Sequence, residues 1–107
     1  MIDLLLLYPK TDSYGLMSQK DIEEYFNEPP YSLMLLSSFL RRYGFSVKIT
    51  ESQDIDHIKK LVLLEKPRFV GVSCVSSTFP KGLKFAEFIK KTNKDVKIIF
   101  GGVHASV

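Results

Sequence analysis

Two kinds of apolar pattern alternate along the chain. Ile2 to Tyr8 is almost continuously apolar and is closed by Pro9. Unbroken hydrophobicity predicts a strand covered on both faces, as in the centre of a parallel sheet. Arg68 to Val75 and Val96 to Phe100 read as two more buried strands, the last running into Gly101-Gly102. Phe45 to Thr50 instead alternates, which predicts an edge strand with one partly exposed face. Between these runs the period changes to that of a helix. Leu36, Phe39, Leu40 and Tyr43 recur at helical spacing, with Leu33 a turn earlier. Pro30 suits the first turn of that helix and Gly44 the position just past its last. Arg41 and Arg42 complement the carboxyl end of its dipole, and Ser37 and Ser38 are small enough for close packing. Asp54 caps a second helix carrying Ile55, Ile58, Leu61, Val62 and Leu64, ended by Pro67. Ser77 or Thr78 caps a third, with Pro80 in its first turn, Leu83, Phe85, Ala86, Phe88 and Ile89 inside and Asn93 at its end.

Lys10 to Pro29 is polar by contrast. Ser18-Gln19-Lys20-Asp21 is a variant of a capping box, and Asp21 to Phe26 is long enough for a short helix. A connection of about 20 residues in a compact domain is more often functional than idle. The order β-loop-α-β-α-β-α-β predicts a parallel sheet with helices on both faces. Right-handed crossovers put the first and third strands at the centre and the alternating second strand outside the first. The expected fold is therefore α/β: a three-layer, Rossmann-like or flavodoxin-like parallel sheet, strand order 2-1-3-4, with the fifth strand missing. The whole chain, 1–107, reads as a single but incomplete domain without linker or second domain. Ligands of such sheets bind at the carboxyl ends of the strands, where the strand order reverses. Here that edge comprises Tyr8–Gly15, Ser73–Thr78 and Gly101–Ser106.

Composition narrows the function without choosing it. The 107 residues are 45% hydrophobic and 25% charged, ordinary for a globular chain. A net charge of +3 is spread over many lysines with no basic stripe, so no nucleic-acid partner is expected. One cysteine, Cys74, permits no disulfide framework and fits a reducing, cytoplasmic setting. The apolar start is interrupted by Asp3 and has neither a charged leader nor the about 20 apolar residues of a membrane span.

Candidate chemistry gathers at the predicted carboxyl edge. Ser73, Ser76, Ser77 and Thr78 bring hydroxyls to a strand end that feeds a helix N-terminus, a cradle for a polar or anionic ligand or simply turn and capping chemistry. Gly101-Gly102 allows close approach of a ligand, or a turn with positive φ. His104 follows, but no second ligand stands at metal-binding spacing. His57 reads as part of a solvated helix face, and Cys74 as a small buried apolar residue. No phosphate loop follows the first strand, no paired acids mark a phospho-receiver, and no nucleophilic triad can be assembled. No catalytic residue is assigned.

Three segments resemble a known family. Pro29-Pro30-Tyr31-Ser32-Leu33, leading into Leu36-Ser37-Ser38-Phe39-Leu40-Arg41-Arg42-Tyr43-Gly44-Phe45, is similar to the "PP-x-x-L…LA-x-x-L-x-x-x-G" segment of the cobalamin-binding domains that precede the radical S-adenosylmethionine (SAM) core. Val70-Gly71-Val72-Ser73 resembles their "VGIS" strand, and Gly101-Gly102-Val103-His104-Ala105-Ser106 their "GGPHAT" turn. The order and spacing also fit, over nearly the whole chain.

The resemblance implies cobalamin held with its nucleotide tail along the carboxyl edge of the sheet. It implies that Ser73 meets the tail or its phosphate, and that Gly101 and Gly102 admit the benzimidazole nucleotide. Val75, Ser76, Ser77 and Thr78 would lie near the tail or corrin edge, Val103, His104 and Ala105 would follow the same rim, and the loop from Pro9 to Gly15 would approach the corrin. Classical members carry Asp-x-His-x-x-Gly after the first strand. Here Tyr8-Pro9-Lys10-Thr11-Asp12-Ser13-Tyr14-Gly15 has no histidine, so no lower ligand to cobalt is identified. A single cysteine cannot hold an iron–sulfur cluster, so that cluster and SAM would belong to a missing C-terminal radical SAM domain. The exposed edge of the fourth strand would favour homo-oligomers. The alternatives from the residues alone are a flavodoxin-like interaction domain with a flavin or nucleotide, or a fragment that binds nothing.

Overall fold

A computed structural model describes residues 1–9, 31–74 and 79–101. Its elements are β1 (Leu4–Leu7), α1 (Tyr31–Arg42), β2 (Val47–Thr50), α2 (Ile55–Glu65), β3 (Phe69–Ser73), α3 (Phe79–Thr92) and β4 (Lys97–Gly101). The four strands form one parallel sheet in the order β2-β1-β3-β4. The three-layer α/β fold and the 2-1-3-4 order read from the patterning are both realised. The short helix expected over Asp21–Phe26 lies outside the described residues, as do the Ser76–Thr78 turn and everything after Gly101.

Alternation within each strand divides the core in two. Leu5 and Leu7 of β1 and Val70 and Val72 of β3 point to the face covered by α2 and α3, where they pack with Ile58, Val62, Phe85, Ile89 and Val96. The other face carries Leu6 and Val47, packed under Leu33 of α1 with Leu4, Leu40 and Ile49 alongside. Burying one such side chain contributes about 1.5–3 kcal/mol, so the α2–α3 face, with far more buried residues, dominates stability.

The element ends have local causes. Asp54 accepts a hydrogen bond from the backbone N–H of Asp56 at 3.0 Å and caps α2, as expected. That helix stops two residues before Pro67, because Lys66 takes a left-handed conformation at φ 46°. Past α1, Gly44 sits at φ 89°, its N–H donates to the Arg41 carbonyl and that of Phe45 to the Leu40 carbonyl. This pair of bonds is a Schellman closure, which favours glycine at the left-handed position. It also consumes Phe45, so β2 begins at Val47 rather than at Phe45.

Exposure sorts the apolar positions of the helices and corrects the reading of the last strand. Leu33, Ser37 and Leu40 turn to the sheet, whereas Leu36, Phe39 and Tyr43 of the same apolar set stay exposed. Leu64 of α2 and Leu83 of α3 are exposed as well. The last strand, read as buried, is alternately exposed and half-buried, because among the described residues it pairs only with β3.

Candidate functional site

The strand order reverses between β1 and β3, the position at which open parallel sheets take ligands. Ser73 is the last residue of β3 and lies directly opposite Gly101, the last of β4. The Cys74 N–H donates to the Gly101 carbonyl at 2.9 Å, holding the two strand ends level. On the β1 side, the Gln53 side chain donates to the Tyr8 carbonyl at 3.0 Å and to that of Glu51 at 2.7 Å, tying the β2–α2 connection to the end of β1.

From this edge a groove runs down the α1 side of the sheet. It has a volume of about 460 Å³, within the range of small-molecule sites, roughly 300–1,000 Å³. Its floor includes Leu6, Gly71 and Ile99, which stand in one row across three strands, and above them Ser73 and Gly101. Its wall is the flank of α1 that carries Ser32, Leu36 and Leu40. Two glycines shape the floor. A Cβ on Gly71 would come within 2.8 Å of the Leu6 side chain, whereas one on Gly101 would meet nothing within 4 Å. Gly101 therefore borders open space, into which a larger side chain would project. The lining is apolar, with the Ser32 and Ser73 hydroxyls at the end near the strand termini.

Of the residues expected to form the site, Ser73 and Gly101 are brought together in register. Val75, Ser76, Ser77, Thr78, Gly102, Val103, His104 and Ala105 lie outside the described residues. The α1 wall, Leu6, Gly71 and Ile99 are groove residues that patterning did not single out as site residues. Gly71 had a usable signal, since glycine inside a strand often marks a close approach. His57 is exposed on α2, across the sheet from the groove. Cys74 is buried, which pushes its thiol above its ordinary pKa and suits a packing role rather than a nucleophilic one. Among the described residues no group of three His, Cys, Asp or Glu side chains could hold a metal ion. No helix there is long and apolar enough to cross a membrane. A second cavity of about 480 Å³ opens at the opposite, amino-terminal end of the sheet, beside Pro67, Asn93 and Val96, away from every predicted site residue.

A parallel α/β sheet with a glycine-floored groove at its switch point defines a small-ligand-binding domain of the Rossmann-like class. The chain belongs to the B12 binding domain family, whose model matches residues 22–107. The match spans α1, the three strands after it and the groove residues they contribute, while Leu4 and Leu6 of β1 fall outside it. Comparison with curated proteins and with solved structures found no match.

Proposed function

We propose that the chain is a cobalamin-binding module that takes the nucleotide tail of the corrinoid into the groove between α1 and the sheet. The observation that carries this reading is the groove itself, open at Gly101 and bordered by Ser73, in a chain of the B12 binding family. The residues present suit the tail: apolar side chains for an aromatic base, and the hydroxyls of Ser73 and Ser32 for its sugar and phosphate. They offer no described ligand to cobalt. Bound there, a corrinoid supplies a metal centre for methyl transfer or radical chemistry.

The chain's own part is to bind and orient. Leu33 holds α1 on the sheet, Leu36 and Leu40 wall the groove, and the Cys74–Gly101 bond fixes the rim. The rim residues Val75, Ser76, Ser77, Thr78, Gly102, Val103, His104 and Ala105 belong to the same proposal. So does a role in positioning the corrinoid for a radical SAM enzyme of the methyltransferase or cyclase type, with iron–sulfur cluster and SAM held by a separate domain. That role is supported by the three ordered segments that resemble such proteins.

The test is gel filtration of the protein with hydroxocobalamin. Retention of a shifted visible spectrum with the protein peak is expected. Gly101→Leu, whose side chain would project into the carboxyl end of the groove, weakens retention roughly tenfold or more, the equivalent of about 1.4 kcal/mol. Protein that elutes colourless, or that instead retains a flavin or nucleotide, overturns the reading.

A further inference from the structure

The groove is not uniform along its length. Its hydroxyls, those of Ser73 and Ser32, stand at the carboxyl end, and below them the described lining is leucine, isoleucine, valine and glycine. Toward the amino ends of the strands the groove continues into a cavity of about 200 Å³, an apolar corner beside β4 lined by Leu4, Leu40, Phe45, Phe69 and Ile99. Leu4, Leu40 and Ile99 line both spaces, so groove and corner form one trough. Ser73 and Phe69 are the two ends of β3. A parallel strand rises about 3.3 Å per residue, so the corner lies roughly 13 Å below the hydroxyl rim. The backbone of the floor is engaged as well. β3 pairs with β1 on one side and with β4 on the other, which uses its N–H and C=O groups within the sheet. At the far end, Arg68 Nη1 lies 3.7 Å from Asp3 Oδ1 and Asp3 Oδ2 accepts from the Ser46 N–H, so the charged residues that border the corner are turned to other partners.

We infer that this trough selects among corrinoids by the base of the nucleotide tail: it takes an apolar benzimidazole and discriminates against a purine. The inference rests on the cobalamin reading and adds to it which corrinoids the chain binds. With sugar and phosphate at the Ser73 and Ser32 hydroxyls, the base is the part of the tail that reaches into the hydrocarbon. Dimethylbenzimidazole presents carbon to Leu36 and Leu40 on the wall and to Leu6 and Ile99 on the floor. Adenine carries further ring-nitrogen acceptors and an exocyclic amine around its edge. In water each of these groups is hydrogen-bonded. Against leucine and phenylalanine each loses its partner and gains none, and a polar group left unpaired on burial costs more than an ordinary hydrogen bond returns. Ile99 is the specificity-determining residue best placed to set this choice. It lines both parts of the trough, and it is 52% exposed, so a base entering the trough meets it directly.

Equilibrium dialysis of the 107-residue protein against three corrinoids, read in the visible spectrum, tests the inference. The probes are hydroxocobalamin, the corrinoid with adenine in place of dimethylbenzimidazole, and cobinamide, which has no nucleotide tail. The adenine corrinoid is expected to bind roughly tenfold or more weakly than hydroxocobalamin, and cobinamide also more weakly. Ile99→Gln, which places an amide at an exposed position of the trough, should narrow the gap between the two bases by roughly threefold or more, with unchanged circular dichroism. Equal binding of the two bases, with cobinamide bound weakly, overturns the inference while leaving the tail in the groove. Equal binding of all three corrinoids takes the tail out of the groove and overturns the inference together with that placement. Retention of none overturns the cobalamin reading and the inference with it. A gap unchanged in folded Ile99→Gln assigns the selection to another part of the chain and overturns the inference as well. The comparison of the three corrinoids uses the wild-type chain, so it does not depend on the variant folding.

Discussion

Asp3 and Ser46 clamp the start of β1 to the entry of β2. The Ser46 N–H donates to Asp3 Oδ2 at 2.8 Å, the Ser46 hydroxyl donates to the same oxygen at 3.1 Å, and the Asp3 N–H donates to Ser46 Oγ at 2.9 Å. The backbone hydrogen bond from Ser46, then its hydroxyl, hold the Asp3 carboxyl below its ordinary value of 3.8, with Arg68 adding a smaller pull. A lowered folded pKa means stability that is fully present above the ordinary carboxylate value and is lost as the pH falls from there through the folded value. Asp3→Asn should therefore flatten the acid limb of the stability curve, measured as urea midpoints between neutral pH and the acid range. An unchanged acid limb would show that the clamp carries no proton linkage. Ser37 is the opposite case. It is 2% exposed, and among the described residues its hydroxyl has no hydrogen-bond partner. Leaving a buried hydroxyl unsatisfied costs about 1–3 kcal/mol, and alanine is the better helix former. Ser37→Ala should raise the melting temperature, or at worst leave it unchanged. A clear fall would mean that the hydroxyl is satisfied in the folded protein. The sequence marked Ser37 correctly as a small packing residue, but an absent hydrogen bond has no signature in a one-dimensional pattern.

At the level of elements, the helix caps were the most legible features. Asp54 and Gly44 act through their own backbones, so their roles depend on few distant contacts. Gly82 was not legible. It lies inside α3, where glycine has no local justification. The reason lies across the layer: a Cβ there would come within 2.7 Å of Cys74 Sγ and 3.1 Å of Val72 Cγ1. The missing side chain lets α3 sit close on β3, near the strand end that carries Ser73. Gly82→Ala gains up to about 1 kcal/mol of helix propensity against about 1–3 kcal/mol for overpacking. The net expectation is a destabilised protein, seen as a lower urea midpoint with an unchanged slope. A rise in midpoint would mean that Cys74 yields the space freely. The apolar stripe of α1 was legible as a stripe, but not the side of it that is buried. Its apolar residues extend over a wider arc than one contact can cover. The sheet takes Leu33 and Leu40 and leaves Leu36, Phe39 and Tyr43 for the groove and for solvent.

For the whole molecule, ligand binding and stability are linked by mass action. A ligand that binds only the folded protein stabilises it by about 2.7 kcal/mol at a hundredfold excess over its dissociation constant. Hydroxocobalamin should raise the melting temperature of the wild-type chain accordingly. Gly101→Leu should melt like the wild type without ligand, since its side chain enters open space, and should show little or no rise with it. A full rise in Gly101→Leu would move the binding site away from the groove. Loss of binding in Gly101→Leu concerns the carboxyl end of the groove.

The strand order and the three-layer arrangement were present in the sequence, because continuous and alternating hydrophobicity report how many faces of a strand are covered. So was the pairing of Ser73 with Gly101, since both fall at the ends of runs that a parallel sheet must align. What required the folded chain was the space between elements. The depth of the groove, its α1 wall, the close seat of α3 on Gly82 and the apolar corner beside β4 all depend on distances between residues far apart in sequence. Hydrophobic spacing along one element records which residues share a side of it, and carries no information on how far the neighbouring element stands from that side.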